Sequence, residues 1–96
     1  MIPGIATRVS GAVTVASTTT IYPKTDVIYV TGTAAIATIV PALGPGFSQV
    51  LFIIPAGAFT TVTTGNIGLA ATAVAGRLMT LVYDKTLAKW YPSYAS

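Results

Sequence analysis

The chain contains no cysteine and no histidine, and its only acids are Asp26 and Asp84. Without cysteine there can be no disulfide, thiolate metal site or thiol nucleophile. Without histidine no side chain ordinarily titrates near pH 7, and two carboxylates so far apart in sequence do not suggest a general acid–base pair. Each Asp is read instead as a turn residue at a strand end. A serine or threonine nucleophile would have only lysine as its base. Two isolated carboxylates also cannot complete a zinc or calcium site. These absences predict a protein that is not an enzyme, with no catalytic residue, no cofactor and no metal.

Charge is scarce too, at 7% of residues, where a typical soluble domain carries about 25%. Arg8, Lys24, Arg77, Lys85 and Lys89 are spread along the chain, so the net charge of +3 reflects few acids rather than a basic patch. A nucleic-acid partner is not expected. The stretch between Asp26 and Arg77 has no charge at all, but Pro41, Pro45, Pro55 and several glycines interrupt it. No run reaches the roughly 18 apolar residues of a spanning helix. A membrane barrel would need at least about eight strands of about ten residues each, too many for this length. The N-terminus lacks a basic region followed by an apolar core, and residue 2 is Ile, so neither a signal peptide nor myristoylation is expected. A membrane is therefore not an expected partner.

What is present is apolar: 53% of the 96 residues are hydrophobic and the mean hydropathy is +0.77. A folded chain of this mass keeps about 5,200 Å² accessible and buries only about two-thirds of its extended surface. The remaining apolar surface must be covered by another protein, which predicts an assembly.

Local signals read as strand and turn throughout. Thr, Val and Ile abound while Glu, Lys, Gln and Arg are nearly missing. Strands are predicted over residues 11–16 (GAVTVA), 26–31 (DVIYVT), 35–40 (AIATIV) and 50–54 (VLFII), then 59–63, 78–83 (LMTLVY) and 89–91 (KWY). In the second, Ile28 and Val30 share one face and Val27 and Tyr29 the other. Residues 50–54 and 78–83 carry apolar residues on both faces and are expected to be buried on both. Residues 41–46 (PALGPG) read as a rigid loop. Ile54-Pro55-Ala56-Gly57 fits a type I turn and Gly65-Asn66 a type II′ hairpin turn. Six residues between Gly68 and Gly76 are too few to nucleate a helix. The spacing predicts a small antiparallel β-sandwich or barrel, with no internal repeat. Residues 1–20 are expected to form an N-terminal arm or first strand and residues 21–96 the β-module.

The one place where a ligand is suggested is the aromatic group Trp90, Tyr91 and Tyr94 beside Lys89, which could stack a sugar or a base. The competing and favoured reading has Trp90 and Tyr91 closing the last hairpin over the core.

The run Val30-Thr31-Gly32-Thr33-Ala34-Ala35-Ile36-Ala37-Thr38-Ile39, then Phe52-Ile53-Ile54-Pro55, Gly65-Asn66-Ile67, Leu81-Val82-Tyr83-Asp84 and Lys89-Trp90-Tyr91 carry a resemblance. Across residues 26–94 the chain resembles the trimeric β-modules of tailed-bacteriophage virion proteins, in head decorations, head fibres and tail fibres. The link between Tyr83 and Trp90 departs from that pattern, because a glycine-containing turn is replaced by Asp84-Lys85-Thr86-Leu87-Ala88. The resemblance implies an intertwined homotrimer on the virion, made in the host cytoplasm. The short N-terminal segment suggests a decoration (cement) protein on the outer surface of the head rather than the tail. Its partners would be itself and the major capsid protein or another virion protein, with Ile2, Pro3, Ile5 and Arg8 in a capsid-docking arm. The alternative is a tail-tip or fibre module that binds host surface glycan through Trp90, Tyr91 and Tyr94. A carbohydrate-binding module or a surface-layer subunit is a further class.

Overall fold

A computed structural model describes residues 13–95. The described residues are all-β: ten strands, with turns and bends between them and no helix. The longer strands are β1 (Val13–Ala16), β3 (Val27–Thr31), β6 (Gln49–Pro55), β9 (Met79–Asp84) and β10 (Lys89–Pro92). They form one five-stranded sheet in the order β1-β3-β6-β9-β10. The two-residue strands β2 (Thr20–Ile21) and β5 (Thr38–Ile39) form a second sheet, and β4 (Ala35–Ile36), β7 (Thr60–Thr61) and β8 (Ala71–Thr72) a third.

The expected antiparallel sandwich or barrel is corrected by the strand pairings. β1 with β3, β3 with β6, β2 with β5 and β4 with β7 all run parallel. Parallel neighbours need a long return connection, and here the chain makes it by circling the core. From β3 it passes through β4 and β5 before re-entering the large sheet at β6. The result is a short three-sided solenoid, closed at one end by the antiparallel strands β9 and β10.

The rungs reveal a repeat that was not apparent in the sequence. Val27 pairs with Phe52, Ile28 with Ile53, Ala35 with Thr60 and Ile36 with Thr61, always 25 positions apart. Gly32 and Gly57 keep the same offset and stack at the corner between the large sheet and the third sheet. A Cβ on Gly57 would come within 2.7 Å of the Gly32 carbonyl oxygen, so only glycine allows the rungs to approach so closely. One rung earlier the corner is held by buried Ser17, whose hydroxyl accepts a hydrogen bond from the Ala34 amide at 3.0 Å.

The inward faces meet in one core. Ile28, Val30, Leu51, Ile53, Met79, Leu81, Tyr83 and Trp90 come from the large sheet, Ile21 and Ile39 from the second, and Ile36 and Ala71 from the third. Phe59 and Ile67 fill the space between. The predicted facing of β3 holds: Ile28 and Val30 are buried, while Tyr29 points out. β6 and β9 differ from expectation. Leu51, Ile53, Met79, Leu81 and Tyr83 are buried, but Val50 and Val82 on the opposite face are exposed. The described residues bury only one side of these two strands.

Gly65-Asn66 does not make the expected hairpin turn. Gly65 lacks positive φ and instead lies hard against the Ala37 carbonyl, where a Cβ would clash. Asn66 takes the place of a third strand on that side. Its Oδ1 accepts from the Ile39 amide at 2.9 Å and its Nδ2 donates to the Ile39 carbonyl at 2.7 Å. Its own backbone receives Trp90 N–H at 2.8 Å. A single side-chain amide thus continues the backbone ladder that β2 and β5 begin.

Candidate functional site

The aromatic cluster is divided between the core and the rim. Trp90 is 1% exposed and donates its indole N–H to the Ile39 carbonyl at 2.9 Å. Its ring meets Tyr83 with centroids 5.1 Å apart and planes tilted by 52°, a geometry favourable for aromatic pairs. Trp90 therefore presents no ring face for a sugar to stack on. Tyr91, on the opposite face of β10, is 37% exposed and lies over Gly68. Tyr94 anchors the C-terminal segment: its hydroxyl donates to the Arg77 carbonyl at 3.0 Å and accepts from the Val74 amide at 3.2 Å. The Arg77 guanidinium sits 4.2 Å from the centre of the Tyr94 ring, which occupies one face of that ring. The three aromatics form no shared ligand platform.

The two acids occupy strand ends. Asp26 precedes β3 and its carbonyl receives Phe52 N–H at 2.7 Å. Asp84 ends β9 and its Oδ1 accepts from the Thr86 amide at 2.9 Å, bracing the turn into β10. That turn passes through Ala88 at φ 56°, the conformation that a glycine would adopt without strain. Among the described residues no three His, Cys, Asp or Glu side chains gather in a metal-binding group, and no helix is long and apolar enough to cross a membrane. Ile2, Pro3, Ile5 and Arg8 lie outside the described residues.

The most prominent surface feature is apolar. On the outer face of the large sheet, Val50, Val82 and Tyr91 lie side by side across β6, β9 and β10. The next row is Val27, Phe52 and Thr80, and the next contains Tyr29 and Ile54. Charge enters this face only at the hairpin end, with Asp84 and Lys89. Five strands spaced at about 4.8 Å and five residues long give a face of roughly 400 Å², which these apolar side chains share with Thr14 and Thr80.

Beside it stands the loop between β5 and β6. Leu43 and Phe47 are 64% and 61% exposed, among the most exposed large apolar side chains of the molecule. The loop is nevertheless held in one shape. The Gln49 side chain accepts from the Leu43 amide at 3.1 Å and donates to the carbonyls of Gly44 at 3.1 Å and Phe47 at 3.0 Å. Gly44 N–H closes a turn onto Pro41 O at 3.0 Å, and Pro41 and Pro45 restrict the chain further. A groove of about 380 Å³ separates the loop from the sheet, with Leu43 and Val50 both on its wall. Sequence reasoning read this loop only as punctuation. The available signal was one glutamine, the only one in the chain, just after a Pro/Gly loop flanked by Leu and Phe.

Comparison with protein-family models, with curated proteins and with solved structures gives no match to this chain.

Proposed function

We propose that the protein is a non-enzymatic structural subunit that works as a homotrimer and binds the head of a tailed bacteriophage as a decoration (cement) protein. The observation that carries the structural role is the uncovered apolar face of the large sheet. Exposed Val50, Val82 and Tyr91 grouped in one row on so small a chain favour burial against protein. The core of the described residues closes within one chain, which supports copies meeting through their surfaces rather than by exchanging core strands. The virion assignment rests on the sequence resemblance across residues 26–94. A subunit that binds only the assembled shell stabilises it by mass action, as any ligand of one state does.

The test has two parts. Light scattering of the purified chain should give about three times its 9.8 kDa mass. Antibody labelling of intact virions should then decorate the whole head. Label confined to the tail end would favour a fibre or tail-tip protein, and unlabelled particles would remove the virion reading altogether. The glycan-binding alternative gains no support from the aromatics, since Trp90 is buried and Tyr94 is held by Arg77.

A further inference from the structure

The large sheet has two edges, and they end differently. On β10 the outward backbone groups are taken: Trp90 N–H donates to the Asn66 carbonyl and Trp90 O accepts from the Gly68 amide, each at 2.8 Å, and Pro92 has no N–H to leave open. The short sheets are closed in the same spirit. At the β8 edge Thr72 N–H donates to the Ala95 carbonyl at 2.8 Å, and at the β2 edge the Thr20 carbonyl accepts from the Thr18 hydroxyl at 2.8 Å. β1 has no such device. Ser17 N–H donates to the Thr31 carbonyl, so by the alternation of the ladder Val13 and Val15 also face β3, and the N–H and C=O groups of Thr14 and Ala16 point away from the sheet. None of these four groups has a hydrogen-bond partner among the described residues. β1 also carries no lysine, proline or bulge to discourage pairing.

We infer that residues 5–9 of the same chain fold back across a Ser10-Gly11 turn and pair antiparallel with β1, capping the open end of the solenoid. Residues 5–12 lie outside the described residues and run directly into Val13. A parallel neighbour needs a crossover of a dozen or more residues, so a segment this close in sequence reaches the β1 edge only as a hairpin. Ser-Gly is a turn dipeptide, and a two-residue turn there sets Val9 opposite Ala12, Arg8 opposite Val13, Thr7 opposite Thr14, Ala6 opposite Val15 and Ile5 opposite Ala16. The pair flanking such a turn is hydrogen-bonded, and hydrogen-bonded pairs recur at every second residue. The new bonds therefore fall on Thr14 and Ala16, the two residues whose groups point outward. A turn displaced by one residue would direct them to Val13 and Val15, which already face β3. Thr7 opposite Thr14 is a favourable cross-strand pair, and Pro3-Gly4 marks where the added strand stops. The tether holds the segment beside the edge at an effective concentration on the order of millimolar. Both ends of the large sheet are then closed by antiparallel strands, as the terminal units of a solenoid are capped. Ile5 and Arg8, expected in a docking arm, belong to this cap.

Hydrogen exchange followed by NMR on the full-length chain reads the edge directly. The amides of Thr14 and Ala16 should exchange at least about tenfold more slowly in the parent than in Thr7→Pro, which removes the N–H offered to the Thr14 carbonyl. The amide of Val15, which faces β3, should stay protected in both and shows that the variant is folded. If Thr7→Pro does not fold, Gly11→Val replaces it by placing a β-branched residue in the turn. Equal, fast exchange of Thr14 and Ala16 in parent and variant would overturn the inference, because the edge would then be open. A double variant, Arg8→Cys with Val13→Cys, separates this chain's own strand from that of a second copy, since the chain has no native cysteine. These positions form a non-hydrogen-bonded pair about 4.5 Å apart at Cα, within reach of a disulfide. Oxidation should give a disulfide within one chain, seen as a monomer on a denaturing gel that shifts on reduction. Covalent dimers or larger products would assign the edge to a second copy and overturn the inference.

Discussion

Both faces of the five-stranded sheet carry large apolar residues, but these have different destinations. On the inner face Leu51, Ile53, Leu81 and Trp90 are almost completely shielded by the other two sheets. On the outer face Val50, Val82 and Tyr91 occupy the alternate positions of the same strands and remain 37–46% exposed. The inner face supplies the core of the described residues, and the outer face lies outside that core. Part of the apolar excess thus lies on this face and in the loop beside it, and the rest is spread over other exposed positions such as Tyr22, Leu78 and Leu87.

If that division is correct, substitutions on the two faces separate stability from assembly. The largest effect on stability belongs to Trp90→Ala, which removes the ring packed on Tyr83 and leaves Ile39 without its indole donor. A loss of about 3–5 kcal/mol is expected in urea unfolding. Next is Asn66→Ala, which removes both side-chain bonds to Ile39 while leaving the backbone in place. Orphaning a half-buried amide should cost about 2 kcal/mol. Gly57→Ala drives a methyl group toward the Gly32 carbonyl and should cost about 1–3 kcal/mol, as overpacking does. The smallest effect has the opposite sign. Ala88→Gly relieves the left-handed residue in the β9–β10 turn and should raise stability by about 0.5–1 kcal/mol, the left-handed strain less the greater unfolded-state freedom of glycine.

Much of the fold could be read from alternation alone. The shared face of Ile28 and Val30, the stop at Pro41 and the final hairpin into Lys89-Trp90-Tyr91 all follow from period-2 patterning and turn residues. Parallel pairing could not be read in this way, because alternating side chains look the same whichever way the neighbour runs. The repeat that would have revealed it is hidden by unequal rungs. β1 is offset from β3 by 15 positions, as in Val13 to Ile28, whereas β3 is offset from β6 by 25, as in Ile28 to Ile53. The loop before β6 contributes to that difference, and few identities survive besides Ile28 with Ile53 and Gly32 with Gly57. Gly65-Asn66 misled for a related reason. The dipeptide suits a tight turn locally, yet its role depends on Ala37 and Ile39, far away in sequence. The interaction surface was legible in total amount but not in position, since the side of β6 and β9 that stays open depends on which side the other sheets cover.

The most direct test of the account compares the parent chain with Val82→Lys by light scattering and thermal melting together. Val82 is 46% exposed on the outer face, so a lysine there should change the stability of the single fold by no more than about 0.5 kcal/mol. The parent should run at about three times 9.8 kDa, and the variant should fall to the mass of one chain while still melting cooperatively as a folded protein. A variant with the same mass as the parent would contradict it, because the outer face would then have no part in assembly.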